Sequence, residues 1–320
     1  MRISLLILII FLTSCSSEQP KPPLPPNMEL LPSESTIVIQ HRIDNVNSGE
    51  QDAWFVLGET YLAHGWHEIA EFCFKEGNKD NHTNARAFFL EALTLDLQGE
   101  FKKAIEKYKV ASSLDETYSA AHWRMALAYL EIGNADEAIQ NAEHAAQLNR
   151  RDPNALKALA FILLESGNPR KSAAVLSKYL QNYRKDRYAH LLMGKSLQQL
   201  NDPIAQNHLA IGAGSTQVWA DPWSSRIVLA GVGPQFERKR ALLLLQENKP
   251  SEAILLFKSL IKRYPDDDSY KLNLSTALRA TGHLDESIEL ACEVVGRNPN
   301  DHLALRQSAA GLFERFKSLK

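Results

Sequence analysis

The sequence predicts an all-α protein, a solenoid of about seven helix–turn–helix units ending in a capping helix, and three columns of residues predict it. Gly65, Gly99, Gly133 and Gly167 stand 34 residues apart, each after a helical apolar pattern. Five residues on come Ala70, Ala104, Ala138 and Ser172, and Gly58, Ala92, Ala126 and Ala160 precede that column by twelve. Three columns holding one period mark an internal repeat. The glycine supplies the left-handed residue that ends a first helix. Small residues twelve apart on the two helices let them cross closely. Composition adds only exclusions. With 36 Lys+Arg against 38 Asp+Glu there is no basic excess to hold nucleic acid, and three cysteines cannot make a disulfide scaffold.

Taken in order, the chain opens on Arg2 and an apolar run from Ile3 to Leu12, then Leu12-Thr13-Ser14-Cys15. A run this short reads as an export signal rather than a permanent span. The four residues resemble a bacterial lipobox, whose cysteine is acylated and becomes the first residue of the mature protein. Residues 1–14 are therefore expected to be a lipoprotein signal peptide and Cys15 the lipidation site. Residues 15–50 are assigned to a tether, because the stretch 16–33 holds six prolines and tends to extended polyproline II. At about 3.1 Å per residue such a segment holds a domain roughly 50 Å from a bilayer.

From residue 51 the repeats begin. Trp54, Leu57-Gly58, Tyr61, Ala70, Phe74 and Gly77 resemble the tetratricopeptide repeat, whose pattern runs Trp, Leu-Gly, Tyr, Ala, Phe, Ala, Pro. The frame carries on at 85, 119, 153 and 187; in the fifth unit Asn201 replaces the turn glycine and Gln206 the small residue. After a slip of 13 residues it resumes with Ala241, Asn248, Ala253, Phe257 and Pro265, then with Ser275, Leu278, Gly282, Ser287 and Pro299. The resemblance implies a right-handed α-solenoid with five units in 51–213, two more in 234–320, and a capping helix from about His302.

Residues 214–233 interrupt the array. Trp219 and Trp223 flank Asp221-Pro222, and Gly231 and Gly233-Pro234 close the segment. Long loops in compact arrays are often functional, so the tryptophans are possible partner contacts; the competing expectation is a plug that covers apolar surface. No phosphate loop, dinucleotide fingerprint or nucleophile elbow occurs, and no catalytic residue, cofactor or metal is expected. His67-Glu68-Ile69-Ala70-Glu71 lacks the second histidine of a zinc helix, and Asp266-Asp267-Asp268 suits a helix cap. Cys73 and Cys292 are expected to be small buried hydrophobes.

The family resemblance further implies that the first helix of each unit lines a concave face. Its fifth and ninth positions give Phe55, Phe89, Trp123, Leu127 and Phe161 as an exposed apolar stripe, with Lys157 and Lys195 toward one end. The expected function is a lipid-anchored, non-catalytic scaffold that holds a peptide or segment of an envelope protein in this groove and assists assembly of an envelope complex. Its expected place is the outer membrane, facing the periplasm. The alternative is an accessory subunit of an exported enzyme complex that contacts its partner through residues 214–233.

Overall fold

The computed structural model describes residues 20–318, and there it is all-helical. A first helix, α1 (Ser33–Asn47), precedes the repeats. Five pairs follow: α2 (Ala53–Ala63) with α3 (His67–Asp80), α4 (Ala85–Leu97) with α5 (Phe101–Leu114), and α6 (Ser119–Glu131) with α7 (Ala135–Leu148). Then come α8 (Pro153–Glu165) with α9 (Pro169–Asn182), and α10 (Arg187–Gln199) with α11 (Ala205–Gly212). Two four-residue helices, α12 (Pro222–Ser225) and α13 (Ile227–Ala230), lie in the interruption. Two further pairs, α14 (Pro234–Gln246) with α15 (Pro250–Arg263) and α16 (Asp268–Ala280) with α17 (Leu284–Arg297), lead to α18 (His302–Ser318).

Each unit turns on one left-handed residue. Gly65, Gly99 and Gly133 share φ 78°, Gly167 has 73° and Gly282 81°. Asn201 and Asn248 take the same place at φ 56° and 60°, asparagine being the side chain that best tolerates this region. A Cβ on Gly65, Gly99 or Gly133 would meet nothing within 4 Å. These glycines are therefore required by the backbone and not by space.

The small-residue columns are the crossing points. Ala92, Ala104, Ala126, Ala138, Ala160, Ala241 and Ala253 are completely buried. Serines in these columns satisfy their hydroxyls locally: Ser172 donates to the Ala160 carbonyl at 2.7 Å, and Ser275 and Ser287 each donate to the other's carbonyl at 2.8 Å. Unit five departs from the expected register. Gln206 is exposed and Ala205, the first residue of the eight-residue α11, is buried instead. Its tight approach uses glycine: a Cβ on Gly212 would lie 2.5 Å from the Leu191 nitrogen.

Three sequence expectations need correction. The tether assigned to 15–50 does not run free over its described part. Ile39, Ile43 and Val46 make α1 a packed helix, and Pro22 and Pro25 are buried. Tyr61 Oη donates to the Pro23 carbonyl at 2.8 Å; a polyproline strand makes no internal hydrogen bonds, so its carbonyls are free to accept from a neighbouring helix. Helices α1 and α3 start one period apart, at Ser33 and His67, so α1 occupies the place of a second helix ahead of unit one. At the other end α18 starts one period after α16. It is less complete a cap than expected, since Leu305, Leu312 and Phe313 are 41, 52 and 60% exposed. Cys292 is exposed on α17, whereas Cys73 is buried as expected. The signal peptide 1–14 and the lipidation site Cys15 lie outside the described residues.

The concave wall and its insert as the candidate functional site

The first helices α2, α4, α6 and α8 present the aromatic positions that the repeat frame picks out. Phe89 and Trp123 are completely buried, and Leu127, Lys157 and Phe161 half-buried. The expectation of an exposed stripe is therefore corrected, and the reason is the insert. Residues 214–233 lie along the wall and cover it.

Three contacts hold the insert there. Trp219 sits among Trp123, Phe161 and Tyr188, with ring centroids 5.7, 6.2 and 6.4 Å away. Trp223 stacks on Tyr118 at 3.5 Å and meets Phe89 edge-on at 5.3 Å. Between them Asp221, 4% exposed, accepts from Tyr118 Oη at 2.7 Å and from Arg124 Nε and Nη2 at 3.2 and 3.0 Å. Asp221 also caps α12, accepting from the Ser224 amide at 2.7 Å. Arg124 donates to the Trp219 carbonyl, and Asn154 Nδ2 to that of Ala220 at 2.5 Å. Burial, followed by the neighbouring Asp221 carboxylate, pushes the Tyr118 hydroxyl well above the usual phenol range. It therefore stays a proton donor to that carboxylate.

Trp219 and Trp223 thus turn inward, while Val218, Ala220 and Pro222 between and beside them are exposed, Val218 by 76%. Trp123 is anchored from behind, since its Nε1 donates to Asp152, the cap of α8, at 3.3 Å. Lys157 is engaged with Asp186 at 3.2 Å. Burial works to raise the Asp186 carboxyl, but the Ala189 amide, the Tyr179 hydroxyl and Lys157 together hold it below the ordinary carboxylate range. Phe55 has another partner. It packs at 5.9 Å from Phe74 and lines a cleft of about 980 Å³ with Trp54 and Asn78. Lys195 is exposed on α10.

The insert then carries the chain back to unit one. Helix α13 packs on α2, and Arg42 donates to the Ala230 carbonyl at 2.5 Å. His64 Nε2 accepts the Val232 amide at 3.3 Å, and its ring lies 4.6 Å from Phe236. Burial first, then Arg42 and Lys239, brings the His64 imidazole down to about 4, so it is neutral and able to accept. Glu59, beside Arg86 on this stretch of wall, is raised by burial. The second block is also tied to α1: Glu34 accepts from Arg263 Nη1 at 3.0 Å and from Tyr264 Oη at 2.7 Å.

The residues that sequence reasoning missed here are Tyr118, Arg124, Asn154 and Tyr188. Tyr118 precedes α6 and Arg124 is its sixth residue, outside the helix positions that the family resemblance points to. A signal was present in Arg124, a lone cation between Trp123 and Met125-Ala126. Among the described residues no group of three or more His, Cys, Asp or Glu side chains could hold a metal, and no helix is long and apolar enough to cross a membrane.

Two family models match the chain: "YpiA-like, C-terminal tetratricopeptide repeats" over residues 120–186 and "Tetratricopeptide repeat" over 238–302. Over these segments the chain carries tetratricopeptide repeats, and the seven helix pairs above have the helix–turn–helix architecture of such repeats. Among curated proteins it is 25% identical to anaphase-promoting complex subunit 3 of Schizosaccharomyces pombe over 49% of this chain and 23% of that one. It is 24% identical to Hsp70-Hsp90 organizing protein 2 of Arabidopsis thaliana over 62% of this chain and 33% of that one. The matches thus span a third or less of these two relatives. Solved structures resembling it include MamA (18% identity, TM-score 0.47, 52% of this chain and 97% of that one). Another is described as a functional characterization of Pseudomonas aeruginosa pilF (21% identity, TM-score 0.46, 69% and 94%).

Proposed function

We propose that this protein is a lipid-anchored, non-catalytic scaffold of the bacterial cell envelope, tethered through Cys15, that binds a segment of an envelope protein in the groove of its first block and assists assembly of an envelope complex. One observation carries the groove reading. The wall already grips a stretch of its own polypeptide, residues 217–224, by aromatic pockets and a buried carboxylate contact, so its surface suits a peptide. The relative from Arabidopsis is an organizing protein by name, which agrees with a scaffold. The anchor rests on the Leu-Thr-Ser-Cys register and the export-type leader, and placement at the outer membrane, facing the periplasm, rests on family analogy. The accessory-subunit alternative through Trp219 and Trp223 is less well supported, because both rings face the wall.

The experiment is crosslinking in cells from a photoreactive residue placed at Lys195 or Lys157, with mass spectrometry of the adducts. An envelope protein captured from these positions, and not from Lys102 on the outer surface, supports the reading. Equal capture from all three positions contradicts it.

A further inference from the structure

We infer that the groove reads an aromatic–x–acid–x–aromatic segment, and that the insert is its resident occupant, which a partner segment of the same chemistry replaces. This deepens the groove reading proposed above and rests on it. The three subsites are defined by what fills them: Trp219 against Trp123, Phe161 and Tyr188, Asp221 on Arg124 and Tyr118, and Trp223 on Tyr118 and Phe89.

A mere plug does not need the middle subsite. The Arg124 and Asp221 side chains are 10 and 1% exposed. Apolar residues of similar volume often fill such a place at no loss of stability, whereas an unpaired buried charge is strongly destabilising. The wall therefore keeps a cation that demands an acid between two rings, which is a selection rule rather than a packing device. The insert is also built for exchange. Its own helices are four residues each, and it is entered at Gly214, φ 70°, where a Cβ would meet nothing within 4 Å. Its bonds to the wall run through side chains rather than through a main-chain ladder. A tethered occupant competes at an effective concentration in the millimolar range, so free ligands see the groove as weak until the insert's anchors are lost.

The test uses the full chain and a fluorescent synthetic peptide with the sequence of residues 216–226, read by anisotropy. The Trp219→Ala/Trp223→Ala variant is expected to bind this peptide at least tenfold more tightly than the parent chain. Adding Arg124→Met to that variant abolishes the gain, and a peptide carrying Asn in place of the Asp221 residue binds at least tenfold more weakly. Asp221→Asn alone removes the insert's pair with Arg124 and so weakens its hold on the groove, and it too is expected to bind the peptide more tightly than the parent; it serves where the double variant does not fold. Binding that is the same in parent and variants, or unaffected by Arg124→Met, overturns the proposal. Capture of a partner at Lys157 or Lys195 in cells, together with no peptide binding by any folded variant, overturns this ligand class and leaves the groove reading standing. Peptide binding that follows the stated pattern, without capture in cells, supports the ligand class and counts against the groove as the cellular partner site.

Discussion

Ala104 is completely buried where α4 and α5 cross, and enlarging it tests the repeat frame directly. Ala104→Leu is expected to cost about 1–3 kcal/mol by overpacking, read from denaturant unfolding, and Ala138→Leu is expected to behave alike. The matched control is Lys102, exposed on the outer surface. Lys107 on the same helix is unsuitable, because its ammonium lies 2.8 Å from the buried Glu91 carboxylate. Gly99→Ala isolates the backbone term: φ is 78° and the site is open, so a loss of about 1–2 kcal/mol is expected from left-handed strain alone. Trp123 shows where residue-level reading of the sequence fell short. The family resemblance places it on the concave wall. Its burial depends on residues about a hundred positions away, which no local pattern encodes. Truncation is therefore expected to lower stability by about 3–5 kcal/mol, whereas an exposed groove residue would leave melting nearly unchanged.

At the scale of elements, the helix pairs were legible because each carries its own punctuation. Left-handed residues, small crossing residues and Asp caps such as Asp267, which accepts from the Ser269 amide at 3.0 Å, recur in register. Helix α1 was hidden by a polar composition and a proline-rich approach, although its Ile39, Ile43 and Val46 hold the spacing of a buried stripe. The insert was legible as an interruption and, in one of two expectations, as a plug. Its destination was not. The return of the chain to unit one has a pH signature at His64. Its imidazole sits at about 4 in the folded chain, below its ordinary value near 6.5. The unfolded state therefore takes up the proton first, and stability is lost as pH falls from about 6.5 toward 4. Protonation also removes the acceptor for the Val232 amide. The protection factor of the Val232 amide, its exchange rate relative to the intrinsic rate at each pH, should fall as pH drops across this window in the parent chain. In His64→Leu the protection factor should be low throughout and independent of pH.

For the whole molecule, the chain doubles back. Five units form a wall, the insert runs along that wall, and the second block is fastened beside unit one by Glu34, Arg263 and Tyr264. The lipid anchor proposed above sets where this body is expected to work. Cys15→Ser is expected to leave an unacylated precursor with altered mobility and detergent partitioning; identical behaviour of parent and variant would refute the lipid anchor. The most direct measurement of the account's central claim, that the insert occupies the groove, is a double-mutant cycle on unfolding free energy with Arg124→Met and Asp221→Asn. The two residues are 97 positions apart in sequence and joined by a 3.0 Å contact only if the insert is docked. The account predicts a coupling of about 1–3 kcal/mol, within the range for residues of one buried network. Additive effects, with no coupling outside error, would contradict it.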